Sequence, residues 1–265
     1  GGTGGGIGSG AEAGADEASW RGRGADEVFT LDGAFARDKP DLQDVTFPGP
    51  VAYAYFMDDA RVVGIVGPVG SGKTTTKMYR KYRRAAMMPR STIDGIRRYR
   101  VLFVRETYRQ LWSSVIPSYL KVFPRSLGQW SGGRGDPVRH LIVFEDEDGL
   151  IEFEALFMAF GDSVGESLRG IEVTDLDISE ADTNPIETLT FGVGRIGRFP
   201  ESRHLKGYAI ELSSYGQIDC DFNAPDEDSW VYRVFYDQAE RKRIAEQLSM
   251  SLPEGAKAIQ ITFHR

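Results

Sequence analysis

Residues 61–75 read Arg61-Val62-Val63-Gly64-Ile65-Val66-Gly67-Pro68-Val69-Gly70-Ser71-Gly72-Lys73-Thr74-Thr75, and the expected architecture of the whole chain follows from them. The first six residues are a short apolar run ended by a glycine-rich turn, the pattern of a buried strand. From Ser71 to about Met88 the chain reads as a helix that Pro89 forbids continuing. Gly67, Gly70 and Gly72 let the backbone turn tightly, so that several N–H groups can point at one pyrophosphate. The start of the helix adds the positive end of its dipole. The segment satisfies G-x-x-x-x-G-K-[ST] at every fixed position, with a strand before it and a helix after it. Gly67, Pro68, Val69, Gly70, Ser71, Gly72, Lys73, Thr74 and Thr75 are therefore the expected nucleotide-binding loop. Lys73 is placed to hold the β- and γ-phosphates and the Thr74 hydroxyl to ligate Mg²⁺, which makes ATP and Mg²⁺ the expected ligands.

Outward from this loop the chain alternates strands and helices. Arg100–Arg105 reads as a second buried strand, and Tyr108 to Phe123 as a helix interrupted by Pro117. His140–Phe144 and Leu150–Leu156 read as a hairpin with Asp148-Gly149 at its turn. Further strands are expected at Ile171–Ser179, Tyr208–Leu212 and Gln217–Phe222. Strand–helix alternation after a glycine-rich turn implies an α/β protein with a mainly parallel, doubly wound sheet. Residues 1–25 differ from the rest, holding ten of the 31 glycines with Trp20 the only aromatic. They read as a flexible tail, with residues 26–265 as one folded unit. The glycine patterns in the tail have neither a strand before them nor a helix after, so they are not read as a dinucleotide fingerprint.

Composition narrows the class. The 265 residues carry 32 Lys+Arg against 39 Asp+Glu, a net charge of -7, and 41% hydrophobic residues support a sizeable core. No apolar run approaches the ~20 residues that span a bilayer, so no membrane role is expected. A single cysteine, Cys220, excludes an internal disulfide framework and fits a reducing cytosol. Charge is segregated: Lys77 to Arg109 holds eleven basic and two acidic residues, leaving 21 and 37 elsewhere. Two readings stand open for this run. Its arginines form a solvated helix face, or Arg80, Lys81, Arg83, Arg84, Arg97 and Arg98 form a phosphate-facing patch for DNA or a partner.

Hydrolysis needs an acidic group at the end of a neighbouring strand. Ile171-Glu172-Val173-Thr174-Asp175-Leu176-Asp177-Ile178-Ser179-Glu180 supplies the candidate, with Glu180 as the general base or water-orienting group. Period-two geometry places Asp175, Asp177 and Ser179 on one strand face, so Asp177 is a candidate for the Mg²⁺ shell from the side of Ser179. Phe47-Pro48 and Tyr53–Phe56 are candidates for a base pocket by position alone.

Several segments together resemble the large terminase subunits of tailed bacteriophages. They are Arg105-Glu106-Thr107-Tyr108-Arg109-Gln110-Leu111 running to Phe123-Pro124, Ser167 to Thr174 followed by Ser179-Glu180-Ala181, Arg195-Ile196-Gly197-Arg198-Phe199-Pro200, and Asp221-Phe222-Asn223-Ala224-Pro225-Asp226-Glu227-Asp228-Ser229-Trp230. The resemblance covers roughly residues 45–265, in order. It implies a P-loop NTPase fold of the additional-strand, ASCE-type ATPase core. It also implies an ATP-hydrolysing motor that drives double-stranded DNA into a prohead in the host cytoplasm. The implied partners are DNA, the portal protein, the small terminase subunit and further copies in a ring. In this reading Glu180 matches the catalytic glutamate and Arg169 an arginine that some members insert into the neighbouring subunit's site. Asp221, Phe222 and Asn223 match the coupling segment, with Ser213-Ser214 as the rival placement. Ser179 departs from the family, whose members usually carry Asp or Asn there. The family's C-terminal nuclease is not expected within the 265 residues. A helicase- or recombinase-like ATPase, or a nucleotide-binding scaffold with negligible hydrolysis, are the competing expectations.

Overall fold

The computed structural model describes residues 28–29, 45–68, 70–208, 215–252, 254 and 257–265. The tail, Val69, most of the strand expected at Tyr208–Leu212 and the Ser213-Ser214 pair lie outside the described residues. A two-residue antiparallel ribbon, β1 (Val28–Phe29) with β2 (Val45–Thr46), precedes the main sheet. That sheet has eight strands in the order β10-β3-β9-β8-β4-β7-β6-β5. They are β3 (Val62–Val66), β4 (Arg97–Arg105), β5 (Gly128–Ser131), β6 (Val138–Asp146), β7 (Gly149–Ala159), β8 (Asp175–Ile178), β9 (Ile218–Phe222) and β10 (Ile261–His264). From β10 through β7 every neighbour is parallel. Then β6 and β5 add an antiparallel extension. This is the expected α/β architecture, mainly parallel, with a chain that passes the positions of β9 and β8 on its way from β3 to β4.

Helices cover both faces. On one lie α1 (Pro50–Met57), α2 (Lys73–Ala86) and α3 (Ile116–Val122), packed on Tyr99, Val101 and Phe103 of β4 and on Phe153, Ala155 and Phe157 of β7. On the other lie α4 (Val164–Ser167), α5 (Glu187–Val193), α6 (Trp230–Phe235) and α7 (Gln238–Ser249), packed on Leu176, Ile178, Ile218, Cys220 and Phe222. Gly64 in β3 is required by this second layer, because a Cβ there would lie 2.5 Å from the Phe235 ring. Among the described residues no helix is long and apolar enough to cross a membrane.

Several boundaries differ from expectation for local reasons. The hairpin turn is centred on Glu147-Asp148, with Gly149 already paired to Asp146 and at φ 95°. Ile171–Thr174 is not strand, because Val173 N–H donates to Arg195 O and Thr174 O accepts from Gly197 N–H. Before Pro117, Leu111–Val115 widens into a π-turn in which Ile116 N–H reaches back to Leu111 O. Pro117 has no N–H to continue the ordinary ladder.

The largest correction concerns the basic run. Lys77, Arg80, Lys81, Arg83 and Arg84 are neither a solvated face nor a phosphate-facing patch. Each is buried, and four of them lie against carboxylates of the sheet. Arg84 makes two bonds of 2.9 Å to Asp175. Arg80 Nε lies 2.9 Å from Asp219, which Lys81 also binds. Lys77 binds Asp177 and Asp221. Arg83 pairs with Asp59 at 2.9 Å. Arg97 is likewise buried on Asp146, and Arg98 is tied to Asp94 and Glu152. On this face β8 and β9 present Asp175, Asp177, Asp219 and Asp221 where a parallel sheet ordinarily presents aliphatics, and α2 answers with cations. Burial favours the neutral acid, yet Arg80 and Lys81 hold the Asp219 carboxyl below its usual range.

Candidate active site

The turn between β3 and α2 carries two glycines in the left-handed region. Gly70 and Gly72 stand at φ 81° and 82°, a region closed to most side chains, and α2 starts directly after Gly72. Pro48 packs on the loop, since a Cβ at Gly72 would lie 3.0 Å from its ring. Phe47 stacks with Tyr53 and Phe56 beside it. Of the positions considered for a base pocket, Tyr55 and Phe56 are core residues, and the Tyr55 hydroxyl donates to Asp219. Lys73 folds back over the loop, its ammonium on the carbonyl oxygens of Gly67 and Pro68.

Three carboxylates act on that ammonium. Burial lowers the Lys73 pKa, while Asp221, Asp182 and Glu180 oppose the shift. Asp221 closes β9, next to β3, and Glu180 follows β8 in the turn beyond Ser179. Glu180 takes φ 50°, a left-handed conformation unusual for a non-glycine residue. Two side chains hold it there. Asn184 Nδ2 donates to the carbonyls of Ser179 and Glu180 at 2.9 and 3.0 Å. Arg105 donates to Ser179 O at 3.2 Å and pairs with the Glu180 carboxylate at 2.9 Å. Trp230, at the end of the segment that begins with Asp221, donates its indole N–H to Asn184 O. Arg105 does not announce this role in sequence, because its targets lie on the turn after a neighbouring strand, and Asn184 does not because it acts through main-chain carbonyls of that turn.

Asp175, Asp177 and Ser179 share one face, as alternation requires, and that face is covered by α2. Asp177 is wholly buried and accepts from Lys77 and Ser179, each at 2.8 Å. The candidate metal-shell carboxylate thus already has a cation, and burial raises its pKa. No cluster of three or more metal-binding side chains is present among the described residues. Two polar atoms by the loop do lack a partner, the Ser71 hydroxyl and Asp182 Oδ1. Together with the loop's glycines and Thr74, they fit a phosphate group with an attendant hydrated cation. Asp182 was not among the sequence candidates. Burial raises its carboxyl pKa, and it lies against the Asn223 backbone. Arg169 stands apart from this constellation, exposed after α4 and without an ion pair among the described residues.

No protein-family model matches the sequence, and no curated protein sequence matches it. Solved structures do. The large terminase of a thermophilic bacteriophage, in complex with ADP, matches with TM-score 0.46 and 13% identity, over 73% of this chain and 40% of that one. The large terminase ATPase domain of Thermus phage P74-26 matches with TM-score 0.38 and 12% identity, over 77% of this chain and 88% of that one. The chain spans two fifths of the first of these proteins, and what it is similar to is the large terminase of phages.

Proposed function

We infer that the chain is the ATP-hydrolysing motor domain of a DNA-packaging terminase large subunit. One observation carries the reading. The loop after β3, Asp221 near the end of β9 and Glu180 just after β8 stand on three strands that are adjacent in the sheet, and both carboxylates act on the Lys73 ammonium. Nucleotide phosphates enter the loop of Gly67–Thr75, and Lys73 leaves its two carbonyls for the β- and γ-phosphates. Thr74 and Asp182, whose Oδ1 has no partner, are the groups that would hold a hydrated Mg²⁺, since Asp177 is buried on Lys77. When bound, that ion neutralises charge on the phosphates. Glu180 orients the attacking water and accepts its proton. Asp221, Phe222 and Asn223 relay the state of the site through Trp230 and Asn184 to the Glu180 turn. The terminase assignment within P-loop ATPases rests on the ordered motifs from Arg105 to Trp230.

With the basic run of α2 buried, DNA contact falls to another surface. Thr107 to Gly135 contains no acidic residue, and Arg109, Lys121, Arg125 and Arg134 are exposed there without ion pairs among the described residues. Arg125 lies over the rings of Trp130 and Trp112 at 4.4 and 5.6 Å. Four free cations on one acid-free segment suit the phosphates of a duplex.

Phosphate release in the presence of duplex DNA tests the reading. Lys73→Ala should abolish turnover, and Glu180→Gln should retain ATP binding while hydrolysis falls by orders of magnitude. Near-normal turnover by Lys73→Ala would remove the reading. One observation favours a nucleotide-binding scaffold instead, namely the Arg105 pair that engages the Glu180 carboxylate. Tight ATP binding without DNA-stimulated release would establish that alternative.

A further inference from the structure

Lys77 lies one helical turn beyond Lys73 on α2, with its side chain 1% exposed. A lysine ammonium has three donors, and each finds its own acceptor here. Asp177 Oδ1 and Ser179 Oγ lie at 2.8 Å, and Asp221 Oδ1 is the third. Two acceptors come from the end of β8 and one from the end of β9, so a single ammonium ties both strand ends to the helix that begins at the loop. The two aspartates are not equivalent. Asp177 is sealed, whereas the Asp221 side chain keeps 8% exposure at the lip of the site. Its strand register places it beside Ile65, two residues before Gly67. Of the charged groups that act on Lys73, Asp221 acts most strongly. Its carboxylate is bound by one ammonium of this helix and acts on a second. One is buried and holds it, and the other rests on the loop carbonyls of Gly67 and Pro68.

A direct Asp221–Lys73 pair would put a carboxylate where a phosphate needs the loop ammonium. We propose that Lys77 is a positioning residue whose buried ammonium retains Asp221 beside Ser179 and thereby keeps Lys73 free for an anionic phosphate. The inference rests on the nucleotide-site reading above. The same contact orients Ser179, whose hydroxyl accepts from Lys77 and donates to Asp177 at 2.8 Å. One hydroxyl lone pair is left over. A neutral, oriented hydroxyl then stands where a carboxylate would compete for Lys77.

ADP binding by titration calorimetry, with and without Mg²⁺, tests the proposal. Lys77→Met should weaken ADP binding about tenfold or more, since the freed Asp221 captures Lys73 as a charge-assisted pair. Lys77→Met/Asp221→Asn should regain the affinity, and Lys77→Arg should keep most of it. A packing role alone predicts that Lys77→Met and Lys77→Met/Asp221→Asn bind equally weakly, which would overturn the proposal. Lys77→Met leaves two carboxylates without their cation and can fail to fold. In that event Lys77→Met/Asp177→Asn is compared with the same protein carrying Asp221→Asn, and the same recovery is expected. A crystal structure of the Lys77 variant without nucleotide gives a readout independent of ligand binding. Asp221 within hydrogen-bond reach of Lys73 Nζ is expected, and Asp221 still parked beside Ser179 would sink the idea. A wild-type protein that binds no ADP would refute the nucleotide-site reading, and the crystallographic comparison would still judge Lys77.

Discussion

The Arg105 guanidinium lies 2.9 Å from the Glu180 carboxylate and also donates to the carbonyl of Ser179, so one buried side chain at the end of β4 grips both the backbone and the acid of the turn after β8. Arg105 is nearly sealed, whereas 41% of the Glu180 side chain is exposed. A carboxylate held by a guanidinium is less free to turn onto an attacking water than an unpaired one. Arg105→Gln should therefore raise DNA-independent phosphate release a few-fold and shrink the stimulation by DNA. A fall in basal release with nucleotide affinity unchanged would show that Arg105 serves the active arrangement of Glu180.

The cations of α2 make a stability prediction that separates burial from solvent exposure. Asp175 accepts two bonds from Arg84, one from Tyr99 at 2.7 Å and one from Gln217 N–H. Arg84→Met would deprive that wholly buried carboxylate of its bonded guanidinium, at a cost of about 3–5 kcal/mol. Arg84→Met/Asp175→Asn should recover a large part, because no charge is then stranded. Urea unfolding of the two proteins measures the difference. A cost within about 0.5 kcal/mol for Arg84→Met, as for a surface residue, would mean that the helix face is solvated after all.

The strand, turn and helix over residues 62–86 were legible because their information is local. Glycines at 67, 70 and 72 encode backbone conformations, and the flanking apolar run and helix are continuous in sequence. The alternation of Asp175, Asp177 and Ser179 was also readable, since a strand's period is 2. What covered that face was not. The partners of Lys77, Arg80, Lys81 and Arg84 lie far along the chain, and only the sheet order brings β8 and β9 beneath α2. One signal was present and passed over. Lys77, Lys81 and Arg84 recur at helical spacing, as an apolar stripe would, and Asp219 and Asp221 repeat the strand spacing of Asp175 and Asp177. Matched periodicities of opposite charge on one helix and two strands announce a buried ionic interface. Ile171 and Val173 misled for the converse reason, because their alternation packs against the segment at 195–198 and not in a ladder. Arg105 and Asn184 could not be read from spacing, because each grips a main-chain carbonyl of the Ser179–Glu180 turn and Arg105 reaches it from another strand.

The acid-free segment from Thr107 to Gly135 predicts where duplex DNA contributes binding energy. Arg134→Ala should weaken binding to random-sequence duplex and lower the slope of log affinity against log salt by about 0.9 for each phosphate that is no longer neutralised. ADP affinity should not change, since Arg134 lies in the turn between β5 and β6 and not at the loop. Arg125→Ala should behave alike, and it also removes the cation stacked on Trp112 and Trp130. Equal salt slopes for the wild type and both variants would remove this surface from consideration, and Arg195, Arg198, Lys242 and Arg243 would be tested next.

Arg169 gives the prediction most exposed to failure. It follows α4, is exposed, and has no ion pair among the described residues, so nothing described in its own chain holds it. Gly170 at φ 78° turns the chain immediately after it, setting the arginine on a corner eleven residues before Glu180. If that corner enters a neighbouring subunit's site, dilute protein should hydrolyse ATP slowly, and turnover per subunit should rise with concentration or on assembly with portal and DNA. A trans-acting arginine contributes on the order of 10³–10⁵ in rate, so the rise should be steep. Subunits carrying Arg169→Ala keep Glu180, and subunits carrying Glu180→Gln keep Arg169. Mixed together they should recover partial activity at interfaces where the intact Glu180 of one meets the intact Arg169 of the other. An arginine that acts within its own subunit gives no recovery at any ratio, because every site then lacks one of the two groups. Co-assembly shown by crosslinking, with no recovered turnover, would return Arg169 to the role of an ordinary surface residue.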